Sequence, residues 1–247
     1  MSNLNGTGYG NIVEAEIRIF ETTTSNPGAD IGSILHLNDG RKFRLCKNGA
    51  TALAPGLLVQ APVYTTAGDF EDMAIGTGAV GDVTIAVTAG STDAITKDQF
   101  ADGYLVVGAG SGELGHQYMI KSNTAADAAA DATLTLADPG GLRDTISAAS
   151  TANLYQNPWN GVVIDAGTAA IVGVPITDVA ISAYFWAQVS GLCGVVSGGT
   201  ITAGIPVLAN EDGTVIVDNA ATIKTAVGQS NYAYDSGDAG LINLNIL

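Results

Sequence analysis

Apolar residues in this chain come in short runs closed by turn residues, and no long segment carries the 3.6-residue period of an amphipathic helix. Val13, Ala15, Ile17 and Ile19 alternate with Glu14, Glu16 and Arg18, and Val83, Ile85 and Val87 alternate with Thr84, Ala86 and Thr88. A two-residue period puts one face of a strand in a core and the other in water. The turn signals are equally plain: Asn38-Asp39-Gly40, Asp138-Pro139-Gly140-Gly141 and Glu211-Asp212-Gly213. Each combines residues that tolerate or favour the backbone angles of tight turns.

Further strands are expected at Ile31–Leu37, Lys42–Cys46, Leu57–Ala61, Tyr104–Val107, Gln117–Lys121 and Thr133–Ala137. A second series follows at Val162–Ile164, Ala170–Val174, Ala180–Val189, Leu192–Val196, Ile205–Leu208, Thr214–Val217, Ile223–Val227 and Leu241–Ile246. Strand-sized runs at short spacing predict an all-β chain, sandwich- or barrel-like, with Gly-rich turns and little helix. Thr96–Ala101 reads as a short helical turn. The alanine-rich tract Ala125–Ala132 is too short to stand as a helix and is expected as a loop. Residues 1–11 read as a flexible arm that orders on assembly, 12–156 as a β-rich body, and 157–247 as a second β-rich part, or the two as one continuous domain. The boundary falls at Asn157-Pro158-Trp159-Asn160-Gly161.

Composition agrees. Charged residues are 13% of the chain, about half the usual ~25%. Gly supplies 32 of 247 residues, well above the usual ~7%. The charge that remains is one-sided: 9 Lys+Arg against 24 Asp+Glu, a net −15. Such a field repels phosphate backbones and anionic lipid, so neither nucleic acid nor membrane is an expected partner. The excess of acids reads either as a solubilising surface or as that of an assembly whose like-charged copies are held by apolar and hydrogen-bonded contacts. The one local basic cluster is Arg41, Lys42, Arg44 and Lys47, and alternation splits it between two faces.

Val179–Asn210 contains no charged residue, long enough to resemble a membrane span. Polar and Gly residues interrupt it and no Lys or Arg flanks it, so buried strands are expected instead. Cys46 and Cys193 are the only cysteines; far apart and among apolar neighbours, they read as buried free thiols. The N-terminal residues have neither a basic nor an apolar signal region, which predicts folding in a cytoplasm.

Sites for chemistry are sparse. His36 and His116 are the only histidines, and neither has a His or Cys at ligand spacing, so no catalytic residue, metal site or cofactor is expected. Gly108–Gly115 lacks the Lys-Ser/Thr end of a phosphate loop and reads as a hairpin loop. Asp69, Glu71 and Asp72, and the pair Glu211 and Asp212, read as solvated turn acids. The most suggestive group for binding is Tyr184-Phe185-Trp186. On a strand its outer two rings share one face and Phe185 takes the other. The group therefore reads either as a core strand between two packed layers or as a strand with one face against a neighbouring subunit, since Tyr and Trp favour interfaces. These three, with Tyr9 and Asn11 from the arm, form the candidate interface.

Several segments in order resemble decoration (cement) proteins of tailed-bacteriophage heads. They are His36-Leu-Asn-Asp-Gly-Arg-Lys-Phe-Arg44, Asn48-Gly-Ala-Thr-Ala-Leu-Ala-Pro-Gly-Leu-Leu58, Asp102-Gly-Tyr-Leu-Val-Val107 and Gly115-His-Gln-Tyr-Met-Ile-Lys121. Leu134-Thr-Leu-Ala-Asp-Pro139, Asn157-Pro-Trp-Asn-Gly-Val-Val163 and Tyr184-Phe-Trp-Ala-Gln188 follow. Order and spacing carry the likeness, from about His36 to Val207; the chain departs from it in its sparse Lys+Arg. The resemblance implies a non-enzymatic virion protein, made in the bacterial host cytoplasm and placed on the outer capsid surface. It would be a homotrimer whose partner is the major capsid protein, bridging capsomers of the expanded shell. The alternatives are another phage or cell-surface β protein (a tail or glycan-binding module) and a β-rich polysaccharide-active enzyme.

Overall fold

The computed structural model describes residues 18–63, 70–109, 114–217 and 224–246. All its regular elements are strands, and the chain is all-β. Contacts divide it into two compact units. One holds the residues up to Val63 and from Pro158 onward; the other holds Tyr64–Asn157.

The first unit is built from β1 (Ile34–His36), β2 (Lys42–Asn48), β3 (Val59–Gln60), β10 (Asn160–Ile164), β11 (Ile171–Pro175), β12 (Tyr184–Val196), β13 (Pro206–Asn210), β14 (Thr214–Val217), β15 (Ala226–Ser230) and β16 (Ala239–Asn245). Asn38-Asp39-Gly40 makes the expected hairpin between β1 and β2, with Gly40 at φ +89° and Leu37 N donating to Arg41 O at 2.9 Å. Glu211-Asp212-Gly213 likewise joins β13 to β14.

Strand pairing closes two rings. β2 pairs in parallel with β10, which pairs with β3, then β11, then β12, and β12 returns to β2. Inside this ring lie Cys46, Val59, Val162, Val172, Phe185 and Ala187. The second ring runs β12, β16, β15, β13, β14 and closes through the parallel bridge of Ser197 to Val215. Cys193, Val195, Val207, Val215, Val227 and Ile242 fill it. Closing both rings removes most open edges, where stray strands would add.

The two rings share β12. The sequence suggests two strands here, broken at Ser190-Gly191, because Gly after a polar residue is a turn signal. Instead 13 residues run through, and the glycine makes a bend rather than a turn. The register against β2 shifts between Gln188 and Ser190. Gly191 sits at φ +89°, where a Cβ would lie 3.0 Å from the Arg41 Cα, so the position suits only glycine. Buried Gln188 spans the bend, its Nε2 donating to Ser190 O at 3.2 Å and Leu192 O at 2.8 Å. Those carbonyls are thereby satisfied where the ladder is disturbed. The charge-free stretch Val179–Asn210 is thus mainly β12, a turn region and β13.

The second unit is built from β4 (Met73–Ala74), β5 (Thr84–Thr88), β6 (Tyr104–Ala109), β7 (Gln117–Asn123), β8 (Asp131–Leu136) and β9 (Thr151–Tyr155). Its order is β4-β9-β6-β7-β8-β5, and a bridge from Ile75 to Val87 closes it. Phe100, Leu105, Ile120, Leu134, Leu142 and Ile146 are buried in its core, and Phe70 meets Phe100 edge-on at 5.0 Å. Thr96–Ala101 forms successive tight turns rather than a helix, with Gln99 N on Thr96 O and Ala101 N on Asp98 O. Of the tract Ala125–Ala132, expected as a loop, residues 125–130 are loop and bridge, whereas Asp131 and Ala132 already belong to β8.

The sequence-based division, 12–156 against 157–247, differs from this grouping at its N-terminal side. β1–β3 pair with strands from the C-terminal part, and only the segment between leaves to form its own core. The physical reason is visible in β3 and β10. They are antiparallel neighbours, Gln60 opposite Val163 and Val59 opposite Ile164. The chain therefore leaves and re-enters the first unit at adjacent points, which allows an inserted unit without distortion. The arm, residues 1–11, and the expected strand as far as Ile17 lie outside the described residues; its end at Arg18 and Ile19 is a turn rather than strand, with Glu21 N donating to Arg18 O at 3.1 Å.

Candidate functional site

Tyr184, Phe185 and Trp186 open β12, and the structure places them on two faces. Phe185 is 1% exposed, opposite Cys46 inside the first ring. It belongs to the interior and offers no surface of its own. Trp186 points the other way, into a small outer cluster with Ile19, Leu37 and Phe43. Tyr184 is half-buried; its backbone pairs with Thr23 (Tyr184 N to Thr23 O, 2.7 Å) and Lys47 Nζ lies 5.4 Å from its ring centre. Residues following Arg18 thus cover the outer side of this strand start, leaving a cleft of only about 50 Å³. A glycan platform would need these rings open beside acids, so their cover counts against that reading. Tyr9 and Asn11 lie outside the described residues.

The basic cluster is likewise dispersed into structural contacts. Arg44 stacks on Trp159 at 4.3 Å and donates to Gly32 O at 2.8 Å, while Arg41 pairs with Asp39 at 2.6 Å.

The second half of β12 differs. Beyond Gly191 its outer face opens at Leu192 and Gly194, while Val196 at its end is half-buried beside Gly56. Leu192 is 49% and Leu241, on β16, 37% exposed. Gly194 stands opposite Leu241, and a Cβ there would meet nothing within 4 Å, so the surface dips beside the leucine. Asn243, Asn245 and Gln229 continue the face without charge. On a chain of net −15 this is where a like-charged surface could approach with least repulsion. Sequence reasoning passed over it because the strong aromatic signal lay eight residues earlier on the same strand.

Groups with reactive potential are scattered. His36 is exposed on β1, and His116 Nδ1 lies 3.2 Å from the Tyr118 hydroxyl. Among the described residues no three His, Cys, Asp or Glu side chains stand close enough to hold a metal ion. Glu71 and Asp72 are exposed beside the partly buried Phe70, and Asp69 lies outside the described residues. Of the Gly108–Gly115 loop, residues 110–113 are also outside them.

Both thiols are buried and free, as expected, each in a different ring core. Burial pushes the Cys193 thiol up to about 12 and Cys46 higher still. Thiolate, the reactive form, is therefore scarce. Native protein should not react with a thiol-specific disulfide reagent over minutes at pH 8, and denatured protein should show both thiols at once. Rapid reaction in the native state would contradict the closed rings.

One ionisable group was invisible in the sequence. Asp165 is 2% exposed. Its Oδ1 accepts from Gly167 N at 3.0 Å, while Oδ2 has no partner among the described residues. It lines a pocket of about 110 Å³ with Glu211, Lys224, Ala169, Ile171 and Ala209. Burial first, then the charges of Glu211 and Asp212, raises its carboxyl above the ordinary value. The folded chain therefore keeps this proton to a higher pH than the unfolded chain does. Stability from this group falls as pH rises from the ordinary carboxylate value through the raised one. Asp165→Asn removes the charge and keeps an acceptor for Gly167 N. Its Tm should exceed the parent's at pH 7, the two converging as pH falls below the carboxylate range; a lower Tm at pH 7 would contradict the assignment.

No family model matches this sequence, no curated protein matches it, and no solved structure matches the chain.

Proposed function

We propose that this chain is a structural, non-enzymatic protein of a tailed-phage virion, folded in the host cytoplasm and seated on the outside of the expanded capsid. In this reading it associates with itself as a trimer and bridges capsomers of the major capsid protein, resisting outward pressure. The observation that carries the reading is the exposed, charge-free patch of β12 and β16 at Leu192, Gly194 and Leu241, on an otherwise acidic chain. Such a face suits contact between copies whose net charges repel. The ordered likeness of segments from His36 to Val207 to decoration proteins supplies the capsid context. Closed, apolar-filled rings suit a mechanical role, since close-packed interiors deform little. Many weak links to a lattice act together through effective concentration.

The test is co-sedimentation with heads of the phage that encodes the chain, comparing expanded shells with unexpanded precursors, alongside light scattering of the free protein. The proposal predicts a mass of three chains and retention on expanded shells alone. A monomer that ignores expanded shells would overturn it.

A further inference from the structure

The pocket around Asp165 has the makings of a receptor for one cationic group. Asp165, which lines it, feels two further carboxylates, Glu211 and Asp212, against the single ammonium of Lys224. That ammonium is already held, donating to Asn210 Oδ1 at 3.1 Å and lying 3.8 Å from Glu211 Oε1. Asp212 is also engaged, its Oδ1 accepting from Thr214 N at 2.9 Å and Thr214 Oγ1 at 2.6 Å. What is left over is Asp165 Oδ2, buried and without a donor among the described residues. A buried carboxylate oxygen of this kind is costly unless a partner meets it.

We propose that this pocket receives the alkylammonium end of a lysine side chain from a partner protein. The walls fit both parts of such a group. Ala169, Ile171 and Ala209 offer an apolar flank for the methylene stem, and Asp165 with Glu211 meets the charge. Guanidinium fits less well, because it favours two oxygens of one carboxylate and Asp165 Oδ1 is taken by Gly167. Calcium needs about six to eight oxygens, and no group of three metal-ligating side chains is present among the described residues. An anion is repelled.

The test uses the full chain, nitrogen-15 labelled, at pH 7 and constant ionic strength. The probes are n-butylammonium and Nα-acetyl-lysine amide, with n-butanol and calcium chloride as controls. Both amines should give saturable shifts at the Gly167 and Thr225 amides, and butanol should give none. Asp165→Asn should weaken both amines about tenfold, equivalent to ~1.4 kcal/mol. Glu211→Gln, at an exposed side chain, gives a second reading should the first variant fold poorly, and should weaken them by a smaller factor. The proposal is overturned by unsaturable shifts, by equal binding to both variants and the parent, by preferential binding of calcium, or by binding of butylammonium alone. The pocket stands apart from the capsid reading: shells are absent from this titration, so either can fail without the other.

Discussion

Phe185→Ala lowers the free energy of unfolding of the first unit by about 3–5 kcal/mol, the range for deleting a buried phenylalanine ring. The ring is among the largest fully buried side chains of the chain and stands opposite Cys46 in a closed interior. Strands hydrogen-bonded in a circuit cannot collapse freely onto a void, so the cost should fall toward the upper part of the range. Because β12 also forms a wall of the second ring, loosening its first half removes support from both cores. Both tryptophans, Trp159 and Trp186, belong to this unit, so urea unfolding followed by their fluorescence reads it directly. A loss below about 1 kcal/mol would mean that the ring is not a packed core residue.

Paired substitution of Leu192 and Leu241 by Asp should do the reverse, sparing the fold and abolishing assembly. Both side chains are exposed, where substitutions usually change stability by no more than about 0.5 kcal/mol. Two added carboxylates per copy, on a face otherwise free of charge, would oppose each other across every contact between copies. The trimer that the proposed function predicts should fall to single chains in light scattering, and its retention on expanded shells should drop at least about a hundredfold as avidity is lost. Urea unfolding should stay near the parent's. Unchanged assembly would place the contact between copies elsewhere.

Much of the fold was legible because strands and turns announce themselves locally. Val83–Val87 alternates cleanly and became β5, and Asn38-Asp39-Gly40 gave its hairpin. β9 was missed: Thr151-Ala-Asn-Leu-Tyr155 buries only Ala152 and Leu154, and a small residue paired with polar neighbours leaves little hydrophobic contrast. The unbroken run of β12 was hidden for another reason. A glycine with positive φ serves a turn and a strand bend equally well, and only the partner strand decides which. Insertion of the second unit at Val63 left no linker composition, since adjacent strand ends need no linker.

The candidate site followed the same logic. Aromatic residues drew attention to Tyr184-Phe185-Trp186, yet a strand shows its two faces to different neighbours. One neighbour proved to be the ring interior and the other the segment after Arg18. Asp165 gave no signal at all, because burial of a carboxylate depends on loops distant in sequence, here those carrying Glu211 and Lys224.

The most direct measurement is cryo-electron microscopy of expanded shells after addition of the purified chain. The proposed function predicts ordered density on the outer surface at junctions between capsomers, with the Leu192–Leu241 face of each copy buried against a neighbouring copy. Shells left bare, or copies bound singly with that face open to solvent, would contradict it.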